Sequence, residues 1–239
     1  MEYQNFETLV SSLHISNDDI PFITVEYNQS NDRTNSNIWY LAFKRTMDIF
    51  LSSFMLVLFS PLLVIVYLMI CIIINENGIF TQKRVGLNEK EFTIYKFRTM
   101  RKIILSTEIE KLLKFNESRG VVVKTSNDPR LYGFGKFLRK TSIDELPQLI
   151  NVFLGNMSFV GPRPLMDFIV SPYPEIKKAR TVVKPGITGL WQTSARGNNT
   201  SVLQMIAYDT EYIRNFSLLA DIKILIKTIG VVIKCKGAV

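Results

Sequence analysis

Two adjacent acids, Asp144 and Glu145, lie in a short segment that has basic residues on both sides. Arg139 and Lys140 come shortly before them, and Arg163 follows within a Pro-Arg-Pro sequence. Carboxylates that stay ionised beside fixed cations can bind a divalent metal ion and attack phosphorus, and the planar fork of arginine matches phosphate oxygens. Mg²⁺ takes oxygen ligands and commonly bridges one or two carboxylates to a substrate phosphate. The segment is therefore a candidate for chemistry on a phosphate ester.

The same two acids also have a purely structural interpretation. Pro147 is suited to the first position of a helix that runs to about Leu154, which puts Asp144 and Glu145 just before a helix N-terminus. The exposed amides and the dipole of such a terminus favour negative charge. From the residues alone, helix capping and phosphate chemistry both stay open.

The charge of the chain is unevenly distributed. Residues 1–43 hold one basic residue against six acids, whereas residues 44–239 hold 28 against 15. A basic balance of this size favours anionic partners such as nucleic acid, anionic lipid head groups or nucleotide phosphates. No nucleic acid partner is predicted, because no basic helix with interleaved aromatic residues or known binding module is present.

Histidine and cysteine chemistry are disfavoured. The single histidine, His14, lies in a polar leader, which argues against a histidine base or metal ligand. Cys71 lies within an apolar run and Cys235 near the C-terminus, so neither a disulfide framework nor a metal-ligand spacing is present. A reducing, cytosol-facing setting fits this pattern best.

A long apolar run supplies the membrane signal. Residues 49–74 carry no charge, and this length exceeds the roughly 20 residues needed to cross a bilayer. Basic residues flank both ends without the asymmetry that would orient a spanning helix. Ser60-Pro61 lies near the middle and predicts a kink, because proline removes a backbone donor. From these features alone an ordinary kinked spanning helix is favoured over a segment that enters and leaves by one face.

The remaining pattern predicts short elements. Residues 79–85 and 92–97 are predicted as two strands around a polar turn, and residues 103–115 as an amphipathic helix. Residues 162–185 hold five of the nine prolines and are predicted to form an irregular, constrained loop. The apolar residues of 218–233 recur at helical spacing, which suits either a helix on a lipid surface or a core-facing helix with extended lysines.

From about Trp39 to its end, the chain resembles the small, monotopic polyprenyl-phosphate phosphoglycosyl transferases of the bacterial sugar transferase family. The resemblance is specific, because its blocks follow the order of the family over most of the chain. These blocks are Lys44-Arg45 with Asp48, Gln82 to Gly86, Lys96 to Met100, Arg139 to Leu149, Met157 to Pro164, Lys184 to Gly189, and Tyr208-Asp209 with Tyr212.

The resemblance implies a mostly helical α+β fold. It has a re-entrant membrane helix over residues 39–75, broken at Ser60 and Pro61. The polar composition of residues 1–38, which the resemblance does not explain, predicts a partly ordered leader before it. A small β-hairpin and amphipathic interfacial helices then surround the site in a cytosolic catalytic domain over 76–239. The implied location is the bacterial inner membrane, with monotopic attachment and the catalytic domain facing the cytoplasm.

The resemblance also implies a reaction. Asp144 would attack the sugar-bearing phosphate of a nucleotide sugar, such as a UDP-sugar, and release UMP. The phosphosugar would then pass to a polyprenol phosphate such as undecaprenyl phosphate, as the first membrane step of polysaccharide, capsule, O-antigen or glycoprotein glycan assembly. Membrane lipids and other glycan assembly enzymes are the further partners expected.

The resemblance assigns site roles residue by residue. Asp144 and Glu145 are the expected catalytic residues and the ligands of the cofactor Mg²⁺. The expected phosphate-binding residues are Lys96, Arg139 and Arg163, and the further site candidates are Asp209, Gln192 and Arg196. The competing hypothesis is a non-enzymatic, basic membrane module that binds an anionic polymer or lipid and does not need Asp144.

Overall fold

The computed structural model describes residues 38–102, 128, 130–171, 173–195 and 202–234. The predicted helix over 103–115 and the leader up to residue 37 lie outside these ranges. The elements are α1 (Ile38–Ile74), β1 (Ile79–Val85), β2 (Glu91–Phe97), α2 (Gly133–Thr141), α3 (Gln148–Leu154), β3 (Ser158–Val160), α4 (Asp167–Val170), α5 (Pro174–Arg180), β4 (Gly186–Thr188), α6 (Leu190–Ser194), α7 (Val202–Arg214) and α8 (Leu218–Ile233). The predicted mostly helical α+β fold, with one long apolar N-terminal helix, is confirmed.

The predicted hairpin is confirmed to within a residue. Strands β1 and β2 pair antiparallel, with Ile79 opposite Phe97 at the open end. Because side chains alternate along a strand, Phe92 and Ile94 of β2 point to the same side, where both are buried against Val152 of α3. This contact aligns the last residues of β2 with the beginning of α3.

The prediction of one irregular loop over 162–185 was wrong. Two short helices, α4 and α5, form within it, and β4 follows immediately and pairs parallel with β3. Pro174 does not break α5 but occupies its first turn, where the missing N–H costs nothing and the fixed φ angle is already helical. Proline therefore starts an element here, and the irregular segments are confined to the spaces between these elements.

Helix α1 does not break at Ser60-Pro61. It is assigned as one helix of 37 residues that contains Pro61. Pro61 has no N–H to donate to the Val57 carbonyl, and the Ser60 hydroxyl donates to that carbonyl instead at 2.8 Å. The serine thus supplies the hydrogen bond that proline removes, which matters in an apolar medium where an unpaired carbonyl is costly. A re-entrant path would require bending of this helix rather than two helices joined by a loop.

The first turns of α1 are hydrogen-bonded to the rest of the protein, residues 76–234, which we call the body. The Arg45 guanidinium donates to the carbonyls of Val152 and Phe153 at 2.7 and 2.8 Å and so satisfies the last turn of α3. The buried Asp48 carboxylate accepts from the Ser158 hydroxyl at 3.0 Å. These bonds attach α1 to α3 and β3.

The last turns of α1 contact the same body. Val66 and Ile70 are buried in a cluster with Phe97 of β2 and Leu138 of α2. Ile70 lies 25 residues after Arg45, a distance of about 40 Å along a straight α-helix. Between these contacts the apolar side chains are largely exposed, as Val57 is at 76%. Helix α1 is the single helix of the described residues that is long and apolar enough to cross a membrane.

Helix α8 follows its predicted bounds and has two different faces. Ala220 and Ile224 are buried, and Ile224 joins the main core of the body. The other face exposes many apolar side chains, and those with the largest exposed fractions are Leu219, Ile226, Ile229 and Ile233, at 61 to 76%. An exposed apolar face of this extent is typical of a surface that contacts lipid or another protein.

Candidate active site

The site forms where the inner face of β2 meets the turn before α3. Asn151, fully buried on α3, accepts from the Tyr95 N–H at 3.0 Å and donates to the Thr93 carbonyl at 2.7 Å. Its side-chain amide therefore serves as a strand partner for the free edge of β2. Lys96 continues the buried side of β2, and its Nζ lies 2.9 Å from Oε1 of Glu145.

A second helix end brings Arg139 to the acids. Helix α2 lies so close to the segment that follows β2 that a side chain at Gly135 would meet the Thr99 carbonyl. One turn later, Arg139 Nε donates to the Thr99 hydroxyl at 2.9 Å. Ser142 then adopts a left-handed conformation, with φ of 59°, and turns the chain into the 3-10 turn that carries Asp144. Arg139 and Asp144 are thus neighbours because of this helix end.

The two acids have different surroundings. Glu145 is contacted by Lys96 and, at 3.5 Å, by Nη2 of Arg163, and both contacts use the same oxygen, Oε1. Burial lowers the pKa of Lys96, and the charges of Glu145 and Asp144 partly reverse this effect. Burial also lowers the pKa of Arg139, and Asp144 again opposes it. Asp144 therefore lies within electrostatic reach of two cations.

Arg84 is a fourth cation at this site. Its Nη2 donates to Gln82 Oε1 at 2.6 Å, and its Nη1 donates to the Pro164 carbonyl at 3.3 Å. Burial, together with the charge of Arg163, lowers the pKa of Arg84 to about 10, so the group stays charged at neutral pH. Four cations around two carboxylates leave an excess of positive charge, which suits a substrate that carries phosphates.

The carboxylate pair fits a magnesium ion only in part. Asp144 and Glu145 offer the oxygen ligands that Mg²⁺ prefers. Within the described ranges, however, no group of three or more His, Cys, Asp or Glu side chains is placed to hold a metal ion. An ion bound here would need further oxygens from substrate phosphates, which is common for Mg²⁺.

The remaining candidates lie elsewhere. Asp209 is 1% exposed and pairs with Arg180, whose Nη2 lies 2.5 Å from Oδ2. Burial raises the pKa of Asp209, and Arg180 opposes that rise. Gln192 is also buried, and within the part of the chain described here its amide has no hydrogen-bond partner. Arg196 lies outside the described residues.

Two residues of this region were missed as site residues from the sequence. Arg84 falls within a block of the family resemblance, which could have drawn attention to it. Arg180 had no such signal. Its position follows from α5, a seven-residue helix within a segment predicted to be irregular.

Comparisons with known proteins find similarity to sugar transferases. A family model described as bacterial sugar transferase matches residues 39–235. The galactosyl transferase CpsE of Streptococcus agalactiae is 46% identical over 169 residues, which cover 69% of this chain and 37% of CpsE. The undecaprenyl-phosphate galactose phosphotransferase of Salmonella typhimurium is 40% identical over 202 residues, 82% of this chain and 41% of that protein. The exopolysaccharide production protein ExoY of Rhizobium meliloti is 38% identical over 200 residues, 82% of this chain and 87% of ExoY. The chain thus spans about two fifths of the first two relatives and most of ExoY.

Proposed function

The chain belongs to the bacterial sugar transferase family, and on that premise we propose that it transfers a sugar 1-phosphate from a UDP-sugar to polyprenol phosphate. The name of the Salmonella relative, an undecaprenyl-phosphate galactose phosphotransferase, supports a lipid-linked phosphate as acceptor. The observation that carries the proposal is the carboxylate pair Asp144-Glu145, which lies among four cations in a body attached to an apolar helix. A site of this charge binds phosphates and still offers an anionic nucleophile.

The proposed reaction has two steps. A carboxylate oxygen of Asp144 attacks the phosphorus that bears the sugar, the bond from that phosphorus to the bridging oxygen breaks, and UMP leaves. A phosphate oxygen of the polyprenol phosphate then attacks the same phosphorus, the bond to Asp144 breaks, and the carboxylate is regenerated. Division into two displacements is ordinary covalent catalysis.

The cations have separate parts in these steps. Lys96 and Arg163 converge on Glu145 and would bind the phosphates next to it, while Arg139 lies beside the nucleophile. Mg²⁺, held by Asp144 and Glu145, would neutralise charge on the phosphates. Electrostatic stabilisation by these groups is expected to supply most of the acceleration in phosphoryl transfer.

The decisive experiment is a panel of UDP-sugars incubated with the detergent-solubilised full chain, polyprenol phosphate and Mg²⁺, and scored by UMP release. We expect one or a few sugars to give turnover and excess EDTA to abolish it. Without polyprenol phosphate, UMP should appear as a single stoichiometric burst, because the phosphosugar then stays on the enzyme.

Each arm of the panel has its own contrary result. If none of the UDP-sugars on the panel releases UMP, the proposal is overturned and a non-enzymatic membrane module is favoured. Full turnover in EDTA would remove Mg²⁺ from the mechanism. Turnover that does not depend on polyprenol phosphate would show that the protein is a hydrolase rather than a transferase.

We further propose that the protein is monotopic, with both ends of α1 at the cytoplasmic face of the inner membrane. Arg45 and Ile70 contact one body although a straight helix would separate them by about 40 Å, which exceeds the roughly 30 Å of a hydrocarbon core. A helix crossing along the membrane normal would carry Ile70 to the far side of the bilayer. The exposed apolar face of α8 supports contact of the same body with lipid.

Single cysteines test this topology in a background from which Cys71 and Cys235 have been removed. Cysteines placed at Asn37, before α1, and at the exposed Lys90 should both resist a membrane-impermeant thiol reagent in spheroplasts, and both should react after lysis. Labelling at Asn37 alone before lysis would instead establish a spanning helix. Labelling at both sites before lysis would put the body outside the cytoplasm.

A further inference from the structure

The loop that carries Arg163 is held by its carbonyl groups. Pro162 and Pro164 have no N–H, and the Arg163 N–H between them is hydrogen-bonded to the Asp209 carboxylate. Four successive carbonyls accept further hydrogen bonds. The donors are Gly186 N–H to Pro162 at 2.9 Å, Arg180 Nη2 to Arg163 at 2.9 Å, Arg84 Nη1 to Pro164 at 3.3 Å and Val85 N–H to Leu165 at 3.0 Å.

Arg180 connects this loop to a buried acid. It is the last residue of α5 and is 6% exposed. Its Nε and Nη2 lie 3.0 and 2.5 Å from Oδ2 of Asp209, and the same Nη2 donates to the carbonyl of Arg163. One guanidinium therefore joins α5, α7 and the backbone of the phosphate-binding candidate.

A small, partly open pocket of about 10 Å³ is lined by Arg163, Arg180 and Thr181, among others. The hydrogen bond from Arg180 is the contact that fixes the carbonyl of Arg163 itself on this side of the loop. A buried ion pair is by itself weak evidence for stability, because apolar side chains of similar volume often stabilise as well.

We infer that Arg180 and Asp209 are positioning residues for Arg163, an inference that rests on the proposed function. Asp209 orients the guanidinium of Arg180, and Arg180 holds the carbonyl of Arg163. The side chain of Arg163 is thereby kept at Glu145, where the substrate phosphate would bind. Arginine is required because its planar fork serves both partners at once, which the single ammonium group of lysine does not.

Arg180→Lys is the variant that tests this inference. It keeps the charge next to Asp209, so it should fold, whereas Asp209→Asn would leave a buried cation without its partner. We expect kcat to fall about tenfold or more, because a hydrogen bond that orients a phosphate-binding group is lost. In an Arg163→Lys background the same change should cost about twofold or less, because the group to be positioned has already been replaced.

Asp221→Asn is the matched control. Asp221 is also a buried acid, and it accepts from the hydroxyls of Tyr40 and Tyr212 at 2.7 and 2.8 Å. It also pairs with Lys44, so its neutralisation, like that of Asp209, leaves a cation without its partner. This variant should lower the thermal midpoint, and any loss of rate should be the same factor in both backgrounds. The comparison separates positioning of Arg163 from general support of the fold.

Two results would overturn the inference. One is an unchanged kcat for Arg180→Lys. The other is an equal fold loss of kcat on Arg180→Lys in the unmodified protein and in the Arg163→Lys background. If the unmodified protein releases no UMP from any UDP-sugar, the proposed function itself has failed. The inference is supported if the effects of Arg180→Lys and Arg163→Lys on kcat are strongly coupled and the effects of Asp221→Asn and Arg163→Lys are not.

Discussion

Asp144→Asn should abolish turnover while UDP-sugar binding persists. The amide keeps the size of the carboxylate but has no anionic oxygen to attack phosphorus, so we expect a loss on the order of 10⁴-fold or more. Removal of one negative charge leaves Lys96 and Arg139 in greater excess, which should maintain or strengthen binding of an anionic donor. Rates of UMP release and the UDP-sugar dissociation constant provide the two measurements.

Controls separate loss of the nucleophile from loss of the fold. Asp167→Asn changes an acid that is 46% exposed and lies 2.7 Å from Lys177, and it should leave turnover nearly normal. Asp144→Ala excludes recovery of activity by deamidation of the asparagine. Intact-protein mass spectrometry without polyprenol phosphate should find the phosphosugar adduct on the unmodified chain and on neither Asp144 variant. Substantial UMP formation by Asp144→Ala would refute the assignment of the nucleophile.

Arg163→Lys should reduce kcat/KM by about 10²-fold although it preserves the charge. The guanidinium lies between two partners of different kinds, Glu145 at 3.5 Å and the ring of Trp191, whose centroid is 5.9 Å away. A planar group can stack on that ring and present two parallel donors to a phosphate, whereas an ammonium group acts as a point charge. Loss of one oriented donor at a developing charge commonly costs 10²–10³-fold.

The matched control for this change is Arg214→Lys, on α7, where the arginine is 46% exposed. That substitution should leave both rate and thermal midpoint unchanged. Arg163→Lys should also keep the thermal midpoint, because lysine can still reach Glu145. A near-normal rate for Arg163→Lys would show that the planar guanidinium is not needed and that Arg163 contributes only its positive charge.

Elements with a clear period were predictable from the sequence. The hairpin has alternating strands around a polar turn, α8 repeats apolar residues at helical spacing, and α1 carries no charge from residue 49 to residue 74. Short elements were not predictable, because the four residues of α4 and the seven of α5 complete at most two turns and carry little periodicity. The prolines in that segment signalled irregular structure, although one of them begins a helix.

The candidate site was predictable as a set of residue types and not as a set of contacts. Asp144, Glu145 and Arg139 are close in the chain, so their proximity follows from local sequence. Lys96 comes 49 residues before Glu145 and meets it because the hydrogen bonds of Asn151 and the apolar contacts of Val152 hold α3 against β2. Arg180 and Asp209 are 29 residues apart and belong to different helices. Such pairs are decided by packing, which a single sequence does not display.

Helix α1 has a consequence for protein engineering, because hydropathy and packing divide this chain differently. Hydropathy separates an apolar segment from a polar one near residue 75, but Arg45 closes the end of α3 and Asp48 binds Ser158 inside the body. Removal of residues 1–75 would leave the partners of Arg45 and Asp48 in the body without their hydrogen bonds and would expose Phe97. A water-soluble version would instead retain α1 and exchange its outward apolar side chains, such as Phe50 and Val57, for polar ones.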